Sequence, residues 1–375
     1  MNAVTHIVPL FAPVIDGVGD YALNLARRLR EQHGFDSRFV VCDPLWRGSE
    51  RVEGFSVQGP TGFDAAALSQ ALGDAPNILL HYVGYGFHRR GIPVWLTRAL
   101  QNVRQSRLVT IFHEIWSSGP PWRSVFYLAP LQQRLVSKIL TLSAHVFTST
   151  AWTGSLLNQM RPGAMTVLPV SANIDTTAAH RSRARIEPPW RPLFFGQTWT
   201  RLPSVTAHRG LLQSLNSRGE LDRVLVMGKQ SAKNPPSKDV ALLSSFLSPE
   251  RIDVIGERSA ADAAEIFASA DFLLASHPAR DICKSGAILS AFGCGCPAVV
   301  TDDAESAPLR AGEHFLHCNN SPDAINAFVQ RINSGALPQI GAAANRWFRQ
   351  NADWPVIAGK IAAQLYSQPV AHATA

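Results

Sequence analysis

Short apolar segments alternate with segments of helical periodicity along almost the whole chain, and this alternation restricts the possible folds more than any other feature. In the first such unit, an apolar segment is followed by a glycine-containing loop and then by apolar residues at helical spacing. Strands are predicted in this first half at His6–Phe11, Arg38–Cys42, Ile78–Tyr82, Leu108–Phe112, His145–Thr148 and Thr166–Val170. Such alternation predicts an α/β fold in which helices cover both faces of a parallel sheet, that is, a doubly wound, Rossmann-like domain.

A polar segment that contains prolines interrupts the alternation between Asp175 and Pro192, which is typical of a linker. Strands are predicted after it at Leu193–Phe195, Arg223–Met227, Ile252–Ile255, Asp271–Ala275 and Ala298–Val300. Because 375 residues suit two ordinary domains, we predict two Rossmann-like domains in tandem, at 1–178 and 190–352. The segment 353–375 is predicted to form a helix at Trp354–Tyr366 that packs back toward the first domain, followed by a frayed tail.

Composition excludes several classes of protein. Hydrophobic residues make up 46% of the chain and charged residues only 17%, which excludes general disorder. The apolar segments are too short to cross a bilayer, and the N-terminus lacks the basic and apolar regions of a secretory signal. These observations predict a cytoplasmic protein, with the inner face of the membrane as a second place where it can act.

The net charge of +7 suits an anionic partner such as a nucleotide, an anionic membrane surface or a nucleic acid. Nucleic acid is excluded as a predicted partner because the chain has neither a paired Cys/His finger nor an aromatic RNA-binding strand. Five cysteines are scattered along the chain without a second pair at zinc spacing. We therefore predict reduced cysteines and no metal site.

The segment from Asp281 to Val300 is typical of a basic, small-residue loop that opens a helix and leads into a buried strand. Ser285 and Gly286 place backbone N–H groups at the predicted helix start without a bulky side chain, and Lys284 adds a positive charge. The N-terminus of a helix also favours an anion. The segment therefore predicts a phosphate site, with an ordinary helix-to-strand connection as the alternative.

Residues 17–22 match G-x-G-x-x-A, the fingerprint of a dinucleotide-binding fold, and Asp43 follows the second strand, where that fold places its ribose-binding acid. The match is weak because residues 12–16 separate the first strand from Gly17, whereas the dinucleotide turn needs its glycine almost at once. A longer loop that turns Gly17 and Gly19 toward a cleft is the better interpretation. Asp20 is then placed to cap the following helix.

Four segments follow one another along most of the chain: Asp16–Ala22 before an Ala/Arg/Leu helix, Thr110–Glu114 at a strand end, Val167–Val170 near the close of the first domain, and Gly293–Val300 in the second. In this order they resemble the retaining, two-domain GT-B glycosyltransferases of the group 1 or family 4 type. The resemblance implies that the two Rossmann-like domains face each other across a cleft. It also implies a nucleoside-diphosphate sugar, with UDP or GDP as the nucleotide, held mainly by the second domain, an acceptor on the first, no permanently bound cofactor and no essential metal.

The resemblance also suggests roles for residues of the first domain. His113 matches the strand-end histidine that contacts the donor sugar in such enzymes, and Glu114 is a candidate to orient it. Gly17 and Gly19 would lie beside the donor phosphates or the acceptor, because a side chain there would fill the cleft. The alternatives are a histidine satisfied by the local backbone and a solvated acid.

In the second domain, transfer requires cations on the diphosphate leaving group, because negative charge accumulates there as the glycosidic bond breaks. The candidates lie near the expected carboxyl ends of strands or the starts of helices: Arg201, Arg209, Lys229 and Lys284. The chain departs from the family at Gln197, where an arginine is usual, and at Ile282 and Ser290, where a pair of glutamates is usual. Gln197 and Ser290 stay candidates for contact with the donor. Ser290 could offer the ribose hydroxyls only a weaker hydrogen bond than a glutamate.

Aromatic, basic and glycine-rich loops at 81–91 and 116–123 follow strands of the first domain. Aromatic faces stack on sugars and arginines meet pyrophosphate, so these loops could line an acceptor site. The same composition suits an anionic membrane that displays a lipid-linked acceptor, and packing at the rim of the domain is the alternative.

These observations together predict a glycosyltransferase, of the hexosyltransferase kind, that moves a sugar from a nucleoside-diphosphate sugar to a glycan, lipid-linked or small-molecule acceptor with retention of configuration. Two alternatives stay open. The missing glutamates favour a non-catalytic relative that binds a nucleotide or glycan, and the G-x-G-x-x-A match points to an NAD(P)-dependent oxidoreductase.

Overall fold

All eleven strand segments predicted from the alternation form strands in the computed structural model, which describes residues 2–14, 16–103, 105–163, 165–177, 186–229, 236–302, 304 and 306–366. The strands are β1 (Asn2–Val8), β2 (Phe35–Val41), β3 (Arg51–Val52), β4 (Phe55–Gln58), β5 (Asn77–Tyr82), β6 (Arg107–Phe112), β7 (His145–Thr148), β8 (Met165–Val167), β9 (Pro192–Phe195), β10 (Val224–Met227), β11 (Ile252–Gly256), β12 (Phe272–Leu274), β13 (Ala298–Val300) and β14 (Leu316–His317). Three further strands fall outside the predicted segments. β3 and β14 have two residues each, too few to show a period, whereas the four residues of β4 alternate between buried and exposed and were missed by sequence reasoning.

Helices occupy most of the segments between the strands. They are α1 (Gly17–His33), α2 (Ala65–Leu72), α3 (Gly84–Phe87), α4 (Val94–Asn102), α5 (Ser124–Leu142), α6 (Ala151–Met160), α7 (Thr198–Ala207), α8 (Arg209–Ser217), α9 (Lys238–Ser244), α10 (Ala260–Ser269), α11 (Gly286–Gly293), α12 (Pro322–Asn333), α13 (Leu337–Asn351) and α14 (Trp354–Tyr366). None of the described helices combines the length and the hydropathy needed to cross a membrane.

The chain divides into two compact units, and unit 1 comprises residues 1–169 together with 354–375. Its eight-stranded sheet has the order β3-β4-β2-β1-β5-β6-β7-β8, and every neighbouring pair is parallel except β3 with β4. Adjacent residues of a strand enter separate hydrophobic clusters, as Ile7 and Val8 do in β1, so both faces of the sheet are buried. The order of the strands reverses between β1 and β5, which makes this position the switch point of the sheet.

Unit 2 comprises residues 170–353 and has a six-stranded, fully parallel sheet in the order β11-β10-β9-β12-β13-β14. Leu193 and Phe194 of β9 again enter different clusters on opposite faces. The strand order reverses between β9 and β12. The prediction of doubly wound parallel sheets is therefore confirmed in both units.

The helix α14 belongs to unit 1 and packs along α1. The rings of Tyr21 and Trp354 lie 5.1 Å apart between their centroids, and the hydroxyl of Tyr366, at the end of α14, donates a hydrogen bond to the carbonyl of His33. The middle of the predicted linker, 178–185, and the predicted tail at 368–375 lie outside the described residues.

Two predicted boundaries are wrong at the N-terminus. The first strand runs over Asn2–Val8 rather than His6–Phe11, because its backbone pairs with β2 from Asn2 onward and Pro9 has no N–H to continue a ladder. The first helix is capped by Asp16 rather than Asp20, since the Asp16 carboxylate accepts hydrogen bonds from the N–H groups of Val18 and Gly19 at 3.1 and 2.8 Å.

Candidate functional site

A cavity of about 290 Å³ lies at the switch point of unit 2, where the carboxyl ends of β9 and β12 meet the start of α11. Ligands of doubly wound sheets bind at such a position because the connections on the two sides diverge there. The structure brings four of the predicted donor-site residues together in its lining: Gln197, Lys284, Ser285 and Gly286.

The start of α11 has the features that the sequence predicted. Ser285 is the N-cap, and its hydroxyl accepts a hydrogen bond from the N–H of Ile288 at 3.4 Å. A Cβ at Gly286 would have only Asn173 within 4 Å, so the first turn is open to a ligand. Lys284 is 41% exposed and its Nζ lies 3.3 Å from the half-buried Asp281, a partly exposed pairing that an anionic ligand can replace.

His277 also lines this cavity, and sequence reasoning missed it. Its Nδ1 is buried and has no hydrogen-bond partner within the described part of the chain. Burial lowers the pKa of this histidine below 6.5, against the opposing charge of Asp281. The available signal was its place in the loop that follows β12, three residues beyond the end of the strand, which is comparable to the place of His113 directly after β6.

Arg201 is a different kind of residue from the one predicted, because its side chain is completely buried. Its Nε lies 2.6 Å from the carboxylate of Asp239, which is also fully buried. Its remaining nitrogens donate to the carbonyls of Gly196 and Lys229 and to the Thr198 hydroxyl. The assignment of Arg201 as a phosphate ligand is therefore wrong; it holds in place the loops that follow β9 and β10.

The structure does not bring the other three candidates into the lining of the cavity. Arg209 is exposed at the start of α8, with its guanidinium 5.1 Å from the centre of the Phe246 ring. Lys229 is exposed. Ser290 is only 1% exposed, and its hydroxyl has no partner among the described residues. Since Ile282 is completely buried as well, both positions where the family has glutamates belong to the core here.

In unit 1, Gly17 and Gly19 lie in the first turn of α1 and not in a loop. Gly17 is exposed, and a Cβ there would meet nothing within 4 Å. Gly19 is buried, and its Cβ would lie 2.6 Å from the carbonyl oxygen of Leu10. The absence of a side chain at Gly19 thus allows the backbone of α1 to lie against the backbone of the loop after β1. Of these two glycines, only Gly17 faces open space.

His113 follows β6 directly, and its N–H donates to the carbonyl of Tyr82 at 3.0 Å. Its side chain ends a row of three histidines in which Nε2 of His113 lies 3.3 Å from Nδ1 of His81, and Nε2 of His81 lies 3.1 Å from Nδ1 of His6. Burial lowers the pKa of His113 to about 4 and that of His6 to about 3. His81, and not the predicted Glu114, is therefore the partner that orients His113.

The exposed Glu114 instead lines a small cavity with residues of the loops that follow β5 and β6. Gln132 of α5 joins these loops: its amide oxygen accepts from the N–H of Ser117 at 3.0 Å, and its nitrogen donates to the Tyr85 hydroxyl at 3.2 Å and the Arg90 carbonyl at 2.8 Å. Gln132 carried no sequence signal, because its partners lie far from it along the chain.

No protein-family model and no curated protein sequence matches the chain, but solved structures match it over nearly its whole length. Sucrose-phosphate synthase from Thermosynechococcus elongatus is 14% identical, with a TM-score of 0.68 and 98% of each chain covered. HepE from Anabaena, in complex with UDP-glucose, is 14% identical, with a TM-score of 0.65, and the match covers 97% of this chain and 99% of that one.

WaaG, a glycosyltransferase involved in lipopolysaccharide biosynthesis, is 15% identical, with a TM-score of 0.59, and the match covers 97% of this chain and all of that one. The agreement extends through both units in each comparison. The chain therefore has the GT-B fold of these glycosyltransferases.

Proposed function

We propose that the chain is a glycosyltransferase that moves a sugar from a nucleoside-diphosphate sugar to an acceptor hydroxyl. The cavity in unit 2 carries the proposal, because it combines the switch point, an open helix start and a replaceable Lys284 ion pair. These features suit a diphosphate. The HepE structure, which has the same fold, is a complex with UDP-glucose.

The proposed chemistry follows from where charge develops. As the glycosidic bond breaks, negative charge accumulates on the diphosphate, and Lys284 with the first N–H groups of α11 stabilises it. Gln197, which also lines the cavity, contributes its amide, and His277 presents an unpartnered ring nitrogen. The acceptor hydroxyl enters on the face that the leaving group vacates, which retains the configuration of the sugar.

Calorimetric titration with UDP and with GDP tests the donor site. Lys284→Ala is expected to weaken binding of the preferred nucleotide about tenfold or more, because a charge-assisted contact to phosphate is lost. Lys238→Ala, which removes another exposed lysine of the same unit, is the matched control. Equal affinities for the two variants would show that the phosphate assignment is wrong.

We propose further that the acceptor is glycan or lipid-linked and is reached from an anionic membrane surface. The start of α5 and the loop before it expose Trp122 by 84%, Tyr127 by 69% and Leu131 by 49%. Residues 115–174 include three arginines, one lysine and no acidic residue. Apolar rings on a segment that carries only positive charges suit an interface with anionic lipid.

Sedimentation with vesicles tests this surface. The double variant Trp122→Ser with Tyr127→Ser is expected to lose binding to vesicles that contain phosphatidylglycerol, whereas Trp199→Ser, which removes a tryptophan that is 71% exposed in unit 2, keeps it. Equal binding of both variants to the vesicles, or no binding of the unmodified chain, would contradict the proposal that an anionic membrane is a partner.

A non-catalytic GT-B relative is the second candidate function, and one observation favours it. The two positions where the family has glutamates hold the buried residues Ile282 and Ser290, so neither can grip a ribose from the cavity. Release of free nucleotide from a panel of UDP- and GDP-sugars, with and without acceptors, separates the two functions. Nucleotide binding without any turnover across the panel would favour the non-catalytic one.

The geometry weighs against an NAD(P)-dependent oxidoreductase. Residues 9–16 separate the end of β1 from the start of α1, whereas a dinucleotide site needs its first glycine at the strand end. The Asp16 carboxylate also occupies the N–H groups that would bind the pyrophosphate.

A further inference from the structure

The row of histidines in unit 1 is more extensive than a contact to substrate requires. His6 lies within β1, His81 within β5, and His113 directly after β6, so the row crosses three neighbouring strands at the switch point of the sheet. His6 and His81 are completely buried. The three rings are nearly parallel and meet edge to edge through their nitrogens, with interplanar angles of 13° between His6 and His81 and 16° between His81 and His113.

The spacing implies a chain of N–H···N hydrogen bonds. A neutral imidazole donates from one ring nitrogen and accepts at the other, so the direction of one bond determines the direction of the next. Burial keeps these histidines neutral: the pKa of His81 lies well below 6.5, to which the neighbouring His6 and His113 also contribute. Two arrangements are then possible: both hydrogen bonds are donated from the His6 side toward His113, or both are donated from the His113 side toward His6.

The buried end of the row distinguishes these directions. Nε2 of His6 has no hydrogen-bond partner among the described residues and is shielded from solvent. A buried N–H without an acceptor is rarer than a buried acceptor without a donor, so Nε2 of His6 carries no proton and Nδ1 does. His6 then donates to His81, and His81 donates from its own Nδ1 to Nε2 of His113.

We propose that His6 and His81 are positioning residues that hold His113 in the tautomer with its proton on Nδ1. No side chain in the described part of the chain is hydrogen-bonded to that nitrogen, and it is not among the buried unpartnered atoms. His113 therefore presents a fixed N–H donor toward an oxygen of the substrate. The identity of that substrate rests on the proposed function, but the tautomer does not.

Nitrogen-15 spectroscopy of the full chain, labelled at histidine, tests the tautomer directly. Ring nitrogens with and without a proton have well-separated shifts, and the signals of His113 are assigned by their loss in His113→Gln. We expect a protonated Nδ1 and an unprotonated Nε2 at neutral pH. A proton on Nε2 of His113, or a rapid mixture of both forms, would overturn the proposal.

Two variants test whether the row is responsible. His81→Phe keeps an aromatic ring at this position but removes the donor to His113. His6→Phe keeps the stacking on Phe39 at one end of the row while removing the donor to His81. Both are expected to convert His113 to a mixture of tautomers. His145→Phe, which changes a histidine of the neighbouring strand β7 outside the row, is expected to leave it unchanged.

An unaltered His113 tautomer in both folded row variants would overturn the proposal. If they fail to fold, the tautomer of the unmodified chain still decides it. Sugar transfer measured on the same samples keeps the two hypotheses apart, because an inactive chain with the expected tautomer contradicts only the proposed function.

Discussion

At the scale of single residues, Arg201 shows how much the environment of a charge matters. Its guanidinium and the carboxylate of Asp239 are both fully buried, and the ion pair is surrounded by the carbonyls of two loop residues. A buried pair contributes little net stability compared with apolar packing, but breaking it leaves one unpaired charge in the interior. The main effect of the pair in this protein is to fix the position of the Gly196–Gln197 loop at the cavity.

The first prediction concerns this pair. Asp239→Asn is expected to lower the free energy of unfolding of unit 2 by about 3–5 kcal/mol, because the Arg201 charge stays buried without a counter-charge. Glu313→Gln, which breaks the exposed pair with Arg310 in the same unit, is expected to cost about 0–1 kcal/mol. Urea unfolding measures both, and similar losses would contradict the organising role of the buried pair.

At the scale of elements, the two candidate helix starts differ in charge. At α1, the carboxylate of Asp16 already accepts from the first N–H groups, and burial together with the charge of Asp16 raises the pKa of Asp20 to about 6. At α11, the cap is the neutral hydroxyl of Ser285, and Lys284 is adjacent. An anion is therefore stabilised at α11 and opposed at α1, although both starts are rich in small residues.

The second prediction uses the paired glycines of α1. Gly19→Ala is expected to destabilise unit 1 by about 1–3 kcal/mol, because the new methyl group meets the carbonyl of Leu10 at 2.6 Å. Gly17→Ala is expected to leave the melting temperature unchanged or slightly raised, since the site is open and alanine favours a helix.

Thermal unfolding and sugar transfer are measured on both variants. A loss of transfer in a stable Gly17→Ala protein indicates that a ligand approaches the helix start, and unchanged transfer removes Gly17 from the site. Equal destabilisation by the two substitutions would contradict the different environments of these glycines.

At the scale of the whole molecule, buried histidines link stability to pH. The pKa values of His6, His113 and His208 fall from 6.5 to about 3, 4 and 4 because burial disfavours the charged ring, and that of His81 falls as well. Between pH 6.5 and these values the unfolded chain binds protons that the folded chain does not. These histidines therefore cost the folded state nothing above pH 6.5, and the free energy of unfolding decreases as the pH falls below that value.

The third prediction follows from this direction of the pH dependence of stability. Each of these histidines is expected to remove about 1.4 kcal/mol of unfolding free energy per pH unit between pH 6.5 and its folded pKa. Asp20 stabilises the folded state as the pH falls below about 6, because its folded pKa is raised. This single group offsets only part of the loss from the several histidines. Urea unfolding at about pH 7 and about pH 5 should show a clear loss, and His6→Phe should reduce it. Equal stability at the two pH values would contradict the neutral, buried state of these rings.

Much of the fold was predictable because its signals are local. Periodicity of 2 or 3.6 residues depends on near neighbours, so eleven strands and the start of α11 at Ser285 could be recognised in the sequence. The position of Lys284, Ser285 and Gly286 in one segment made their common location equally predictable. The short strands β3 and β14 could not be recognised, because two residues show no period.

The sequence by itself therefore determined the α/β class, the parallel strands and the small-residue helix start that faces the cavity of unit 2. Only the tertiary structure decided which charges are available and which histidines touch, since Arg201 meets an aspartate 38 positions away and His6 meets a histidine 75 positions away. The physical reason is that such pairs depend on the order of the strands in the sheet. Strand order follows from how whole elements pack on one another, and no local pattern of residues records it.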